Sequence, residues 1–121
     1  MNEIKKMFAE YGADYTSTME RFLYNESMYL RFLDMLFQDD NLQKLEMFLV
    51  QNDVKGAFEA AHTLKGVVGN MGLTPLYNAI CIIVEPLRAG EIRNDYMDLY
   101  RNIQMEFEKA AQFRDSLKKL G

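Results

Sequence analysis

The sequence predicts an all-α protein, an up-and-down antiparallel four-helix bundle with additional short N-terminal helices. Apolar residues recur at spacings of three and four along most of the 121-residue chain, and no stretch alternates as a half-buried strand would. The chain contains only seven Gly and two Pro, which argues against a β-rich protein with many tight turns. Since no repeat or linker-like segment divides it, we expect residues 1–121 to form a single domain.

Two short helices are predicted at the N-terminus, over residues 2–11 and 18–24. Gly12 is typical of the residue that follows a helix end, because glycine adopts the left-handed conformation without steric cost. Ser17 and Glu20 have the spacing of a capping box, which places the start of the second helix directly after the serine.

Four longer helices are predicted to form the bundle. Asn25 and the pair Asn52–Asp53 are typical N-cap signals and stand at the start of the first two of these helices. Gly72 and Gly90 are typical of positions just beyond helix ends. The polar segment 38–41 is a candidate for a kink or a break within the first bundle helix. We expect the four helices at residues 26–51, 53–71, 75–89 and 95–119.

Composition and charge exclude several classes of protein. The net charge is -4 and there is no basic tract, so nucleic acid is not expected as a partner. Cys81 is the only cysteine, which rules out an intramolecular disulfide. The longest apolar run, residues 79–84, is too short to cross a membrane, and the charged N-terminus is not typical of a signal peptide. We expect a cytoplasmic protein without membrane contact.

His62 lies beside the apolar stripe of the second bundle helix. Apolar residues at positions 54, 57, 61, 64, 68 and 71 repeat at alternating spacings of three and four, so they should face the core. His62 follows Ala61 by one residue and therefore lies about 100° round the helix from that stripe. The residues that share the side of the helix with His62 are Lys55, Phe58, Glu59, Lys65, Gly66 and Gly69.

This row of residues is unusual for a solvated helix face. It holds two glycines, each of which costs about 1 kcal/mol relative to alanine inside a helix. Gly66, four residues after His62, leaves the surface beside the imidazole without a side chain, so that a bulky partner can approach closely. Lys65, three residues after His62, can bring its ammonium to an anion held on the ring.

Phosphoryl transfer is the chemistry that this row suits. A histidine titrates near neutral pH, so a neutral ring nitrogen is available as a nucleophile. Transfer also needs in-line positioning and neutralisation of charge on the transferred oxygens, part of which Lys65 can supply. We therefore predict that His62 is phosphorylated. A zinc site is not expected, because Cys81 and His62 are too few ligands.

The segment from Ala61 to Leu73, AHTLKGVVGNMGL, resembles the signature of the histidine-containing phosphotransfer (HPt) domains of bacterial and eukaryotic phosphorelays. The match consists of His-x-Leu-Lys-Gly followed by x-x-Gly-Asn-x-Gly-Leu. The resemblance implies a relay from aspartate to histidine to aspartate. In that relay His62 would accept the phosphoryl group, Lys65 would steady it, and Gly66 would give the partner access.

The resemblance also implies partners and cofactors. The partners would be response regulator receiver domains and hybrid sensor kinases. The Mg²⁺ ion used in the transfer would belong to the receiver, and this chain would hold neither a cofactor nor a metal. The family suggests that the chain works as a monomer.

HPt domains dock receivers through a mixed apolar patch around the histidine. By resemblance, that patch would include Lys55, Phe58, Glu59, Gly69, Met7 and Phe8. Burial in the core is an equally good interpretation of Phe58, Met7 and Phe8. Gly69 can instead serve close packing between helices. Some family members carry a hydrogen-bonding residue on the following helix, at a position that falls near Val84 in this chain.

Two other functions are compatible with the sequence. The first is a docking module that binds a receiver but does not use His62 for transfer. The second is an autonomous hydrolase of the phosphohistidine type, for which Glu59 is the only further acid or base in the row. No glycine-rich nucleotide loop is present, so we expect a phosphocarrier and not a kinase or another enzyme.

Overall fold

The computed structural model describes residues 2–120, and every regular element in that range is an α-helix. Within these residues, no helix combines the length and the apolar character that crossing a bilayer demands. In chain order the helices are α1 (Glu3–Tyr11), α2 (Tyr15–Arg21), α3 (Glu26–Gln38), α4 (Asn41–Val50), α5 (Val54–Asn70), α6 (Thr74–Arg88) and α7 (Tyr96–Leu120).

Helices α4 to α7 form a bundle that closes into a ring. Each packs against the next in the chain, and α7 packs against α4, α3 and α1. Short connections make successive helices antiparallel. The predicted all-α, up-and-down bundle is therefore confirmed. Aliphatic side chains that are completely buried at its centre include Leu45, Leu76, Ile80, Ile83 and Ile103.

The first bundle helix, predicted as one element over 26–51, is two helices in the structure. The backbone of Asp39 is extended, with φ -71° and ψ 142°, so helical hydrogen bonding stops at Gln38. The Asp39 carboxylate then accepts hydrogen bonds from the backbone N–H and the side-chain amide of Asn41, both at 2.7 Å. These bonds satisfy a donor at the start of α4 and explain why the break falls within segment 38–41.

The second helix lies earlier in the chain than the predicted range 18–24. It begins at Tyr15, which places Ser17 inside the helix and shows that the predicted capping box is wrong. The helix ends before Leu23 and Tyr24, whose positive φ angles of 53° and 57° do not allow a right-handed helix to continue.

The remaining helix boundaries lie within one residue of those expected. The side chain of Asn25 accepts a hydrogen bond from the Met28 N–H at 2.9 Å, as an N-cap should. The side chain of Asp53 accepts one from the Gly56 N–H, also at 2.9 Å. Gly12 has a φ of +105° and ends α1 where the sequence placed that end.

Helix α1 is attached to the bundle through Phe8, whose side chain is 1% exposed. Its ring packs edge-on against Phe113 of α7, with 5.0 Å between ring centroids, and against Tyr15 of α2 at 5.3 Å. The predicted contact between Phe8 and a docking partner is therefore wrong. Burial in the core, the other interpretation of this residue, is correct because aromatic rings from neighbouring helices cover it.

Helices α2 and α3 are tied to the C-terminal end of α5. The Arg21 guanidinium donates to the carbonyl oxygens of Gly69 at 3.3 Å and Asn70 at 3.1 Å. The Tyr29 hydroxyl donates to the Met71 carbonyl oxygen at 2.9 Å in the interior. A cation at a helix C-terminus also interacts favourably with the helix dipole. These contacts hold α2 close to the exposed side of α5.

Candidate functional site

Helix α5 presents the candidate site on its exposed side. Ala57, Ala61, Leu64 and Val68 are almost completely buried, so the predicted apolar stripe does face the core. His62 lies next to this stripe and is exposed. The angular offset of one residue on a helix is therefore enough to bring the imidazole to the surface while its neighbour packs inside.

The surface on the C-terminal side of His62 is open at Gly66. Helical side chains lean towards the N-terminus, so a side chain at this position would reach back towards the imidazole. A Cβ atom built on Gly66 would meet no atom within 4 Å. Packing among the described residues therefore does not require this glycine, and access to His62 supplies a physical reason for it.

Gly69 serves close packing between α5 and α6. A Cβ atom built on it would lie 3.1 Å from Cε1 of Tyr77, so the absence of a side chain makes room for this aromatic ring. The ammonium of Lys65 lies 6.0 Å from the centroid of the same ring, at the outer limit of a cation–π contact. The packing interpretation of Gly69 is thus the better supported one, and Tyr77 lines the side of the site where Lys65 lies.

On its N-terminal side, His62 is covered by Phe58. The two ring centroids are 5.4 Å apart and the ring planes differ by 21°, which is a stacked arrangement. The guanidinium carbon of Arg88 on α6 lies 5.1 Å from the centroid of the Phe58 ring. Phe58 is half-buried, so it is neither a core residue nor a fully exposed docking contact.

A groove passes His62 between α5, α6 and the region of α2. Sequence reasoning did not identify its side chains from α2 and α6, because no motif marks them and they are distant in the chain. The one usable signal was the antiparallel order of α5 and α6, which pairs Gly69 with Tyr77 and Phe58 with Arg88. The groove is lined by residues that include Asp14, Ser17, Arg21, His62, Lys65, Gly66, Tyr77 and Asn78.

The predicted docking residues fall into separate places. Lys55 and Glu59 are exposed on α5, which also carries His62. Met7 is half-buried and lines a different hollow with Pro75 of α6, and His62 is not part of that hollow. The structure therefore does not bring Met7 to the His62 groove.

No polar group among residues 2–120 orients the His62 imidazole through a hydrogen bond or an ion pair. Val84 is completely buried and its aliphatic side chain has nothing to donate or accept. The described residues also contain no cluster of three or more His, Cys, Asp or Glu side chains that could hold a metal ion.

Comparison with known proteins identifies the family. A family model described as Hpt domain matches residues 3–112 of the 121-residue chain. No curated protein and no solved structure gives a significant match. Hpt domains are phosphocarrier modules of two-component signalling that interact with response regulator receiver domains. Because the match covers most of the chain, and the structure is a helical bundle with an exposed histidine in the matched region, this chain belongs to the Hpt domain family.

Proposed function

We propose that this chain is an intermediate in a phosphorelay. His62 accepts a phosphoryl group from the phospho-aspartate of one receiver domain and passes it to the aspartate of another. The observation that carries the proposal is the environment of His62 on α5. The imidazole is exposed, Gly66 leaves one side of it open, and Lys65 lines the same groove.

Each transfer exchanges one bond to phosphorus for another. A neutral ring nitrogen of His62 attacks the phosphorus, an N–P bond forms, and the P–O bond breaks so that the donor aspartate leaves as a carboxylate. The other ring nitrogen keeps its proton, and the product carries a positive charge on the ring. In the second step a carboxylate of the acceptor attacks the phosphorus, and His62 leaves as neutral imidazole.

Lys65 supports both steps by neutralising charge on the transferred oxygens. Within residues 2–120 no carboxylate lies at ion-pair distance from its ammonium, in contrast to Arg88, which pairs with Glu85 at 3.5 Å. The charge of Lys65 is therefore available to an incoming anion. The hydrogen bond that it donates to the anion is charge-assisted and so is stronger than a hydrogen bond between neutral groups.

The receiver docks, in this proposal, on the exposed side of α5 around Lys55, Phe58, Glu59 and Gly66. The partners are receiver domains of response regulators and of hybrid sensor kinases. The receiver supplies Mg²⁺, and this chain holds no resident cofactor. It works as a cytoplasmic monomer and contacts neither nucleic acid nor a membrane.

A transfer assay tests the proposed relay. A purified receiver domain is phosphorylated with a labelled donor and mixed with this chain, and the label is followed in the wild type and in His62→Gln. We expect acid-labile, alkali-stable label on the wild type only. Label on both proteins, or on neither across a panel of receivers, would contradict the carrier role of His62.

A docking module that does not use His62 is the second candidate function. It is favoured by the absence, within residues 2–120, of a hydrogen-bonding partner for the imidazole. Val84, near the position where some family members carry such a partner, is buried and aliphatic. In that case receivers would bind His62→Gln as tightly as the wild type, and no phosphohistidine would form. Titration of both proteins with the receivers of the transfer assay separates the two functions.

A further inference from the structure

We propose that Phe58 is a positioning residue for His62, and that Arg88 holds Phe58 in place for this task. The inference rests on the proposed function, because it names the group that orients the phospho-accepting imidazole. In this role Phe58 does not touch the phosphoryl group and acts through the ring of His62.

The helix itself brings the two rings together. Phe58 precedes His62 by four residues, and residues at this spacing are neighbours on one side of a helix. Because helical side chains lean towards the N-terminus, the imidazole lies over the turn that carries Phe58. The centroid distance of 5.4 Å and the interplanar angle of 21° lie in the range of favourable aromatic pairs.

Arg88 contacts Phe58 from the next helix. Its guanidinium carbon lies 5.1 Å from the centroid of the Phe58 ring, which is cation–π distance. Arg88 also forms an exposed 3.5 Å ion pair with Glu85 on the same helix. The stack therefore extends from α6 through Phe58 to His62, and it couples the orientation of the imidazole to the packing of α5 against α6.

Other sources of orientation are absent from residues 2–120. The imidazole has no hydrogen bond there, Gly66 has no side chain, and Val84 is buried. An exposed imidazole without restraint exchanges between rotamers, which lowers the fraction of molecules aligned for in-line attack. Stacking on Phe58 restricts the ring on one side and leaves the side of Gly66 free for the receiver.

NMR spectroscopy tests the stack directly, because His62 is the only histidine in the sequence and its ring signals are unambiguous. Phe58→Leu keeps an apolar side chain but removes the ring, and Phe58→Tyr is the matched control that keeps the ring. We expect a ring-current shift of the imidazole C–H protons in the wild type and in Phe58→Tyr, and its loss in Phe58→Leu.

Phosphorylation by phosphoramidate then measures the reactivity of His62 without any receiver. The P–N bond of phosphoramidate breaks and releases ammonia as the N–P bond to His62 forms. We expect Phe58→Leu to react about 2- to 10-fold more slowly, the ratio that corresponds to the loss of one aromatic pair. Phe58→Tyr should keep the wild-type rate, and Arg88→Gln should fall between the two.

Thermal unfolding of each variant establishes that it is folded, and Phe58→Met replaces Phe58→Leu if the latter is not. Unchanged imidazole shifts in the folded variant, or an unchanged rate with phosphoramidate, would overturn the proposal.

Failure of the relay itself gives a different result. The wild type would then take label from phosphoramidate but from no receiver, while the comparison of Phe58 variants would still decide the positioning role.

Discussion

At the scale of single residues, two glycines in one helix row meet different requirements. A side chain at Gly66 would enter open space beside His62, whereas a side chain at Gly69 would press on the ring of Tyr77. Both positions carry the conformational cost of glycine in a helix. The cost at Gly69 is offset by close packing of α5 on α6, and the cost at Gly66 is offset by nothing within the described residues.

Alanine substitutions at these two positions should therefore differ in their effect on stability. We expect Gly66→Ala to raise the free energy of unfolding by about 1 kcal/mol, because alanine is the better helix former and meets no neighbour. Gly69→Ala should gain less, since Tyr77 has to move by a few tenths of an ångström. Urea unfolding of both variants measures the difference.

The same pair separates access from packing. Gly66→Ala should slow phosphoryl transfer from a receiver and leave the rate with phosphoramidate unchanged, because only the bulky donor meets the added methyl group. Equal stabilisation in both variants would contradict the packing role of Gly69. Unimpaired receiver transfer in Gly66→Ala would contradict the access role of Gly66.

At the scale of elements, the break between α3 and α4 depends on one side chain. The Asp39 carboxylate accepts two hydrogen bonds from Asn41 at 2.7 Å, whereas the Asp40 side chain makes no capping hydrogen bond. Asp40 instead forms an exposed ion pair with Lys44 at 3.4 Å, and such pairs contribute little to stability. Two adjacent residues of the same type therefore differ in their structural role.

Substitution of these two aspartates tests that difference. We expect Asp39→Ala to lower the free energy of unfolding by about 1 kcal/mol, the usual cost of losing a capping side chain. Asp40→Ala, the matched control, should change it by less than about 0.5 kcal/mol. Urea unfolding monitored by circular dichroism gives both values, and equal losses would show that the hydrogen bonds from Asn41 to the Asp39 carboxylate do not stabilise the start of α4.

At the scale of the whole molecule, a buried tyrosine joins α3 to the bundle. Tyr29 of α3 is 2% exposed, its hydroxyl donates to the Met71 carbonyl oxygen, and burial raises its pKa above the ordinary value of 10.0. Burial also raises the pKa of Tyr11 on α1 and of Tyr100 on α7. The folded state therefore keeps phenolic protons that the unfolded chain releases.

The sign of this effect predicts a loss of stability in alkali. Because the pKa of Tyr29 is higher in the folded state, its contribution is fully present below pH 10 and declines as the pH rises above the unfolded value of 10.0. We expect the free energy of unfolding to fall between about pH 10 and 11, with a shallower fall in Tyr29→Phe. Urea unfolding over this range measures both slopes, and a flat profile in the wild type would contradict the prediction.

The sequence by itself determined the helical bundle, the placement of His62 beside a buried stripe, the cap residue Asn25, and the pair Asn52–Asp53 that contains the cap of α5. These features depend on the helical repeat and on hydrogen bonds between residues a few positions apart, so they can be predicted from short stretches of the amino-acid sequence. The motif around His62 is one continuous segment, 61–73, that begins on α5 and ends just beyond it. It was sufficient to suggest the family.

Only the tertiary structure decided which aromatic residues are buried and what surrounds the histidine. Phe8 and Phe58 both lie on amphipathic helices, yet rings of α2 and α7 cover the first, while the second stacks on His62 and meets Arg88. Local periodicity shows which side of a helix is apolar, but it does not show which distant element will cover that side. That outcome depends on the packing of helices far apart in the chain, where each contact is fixed by all the others.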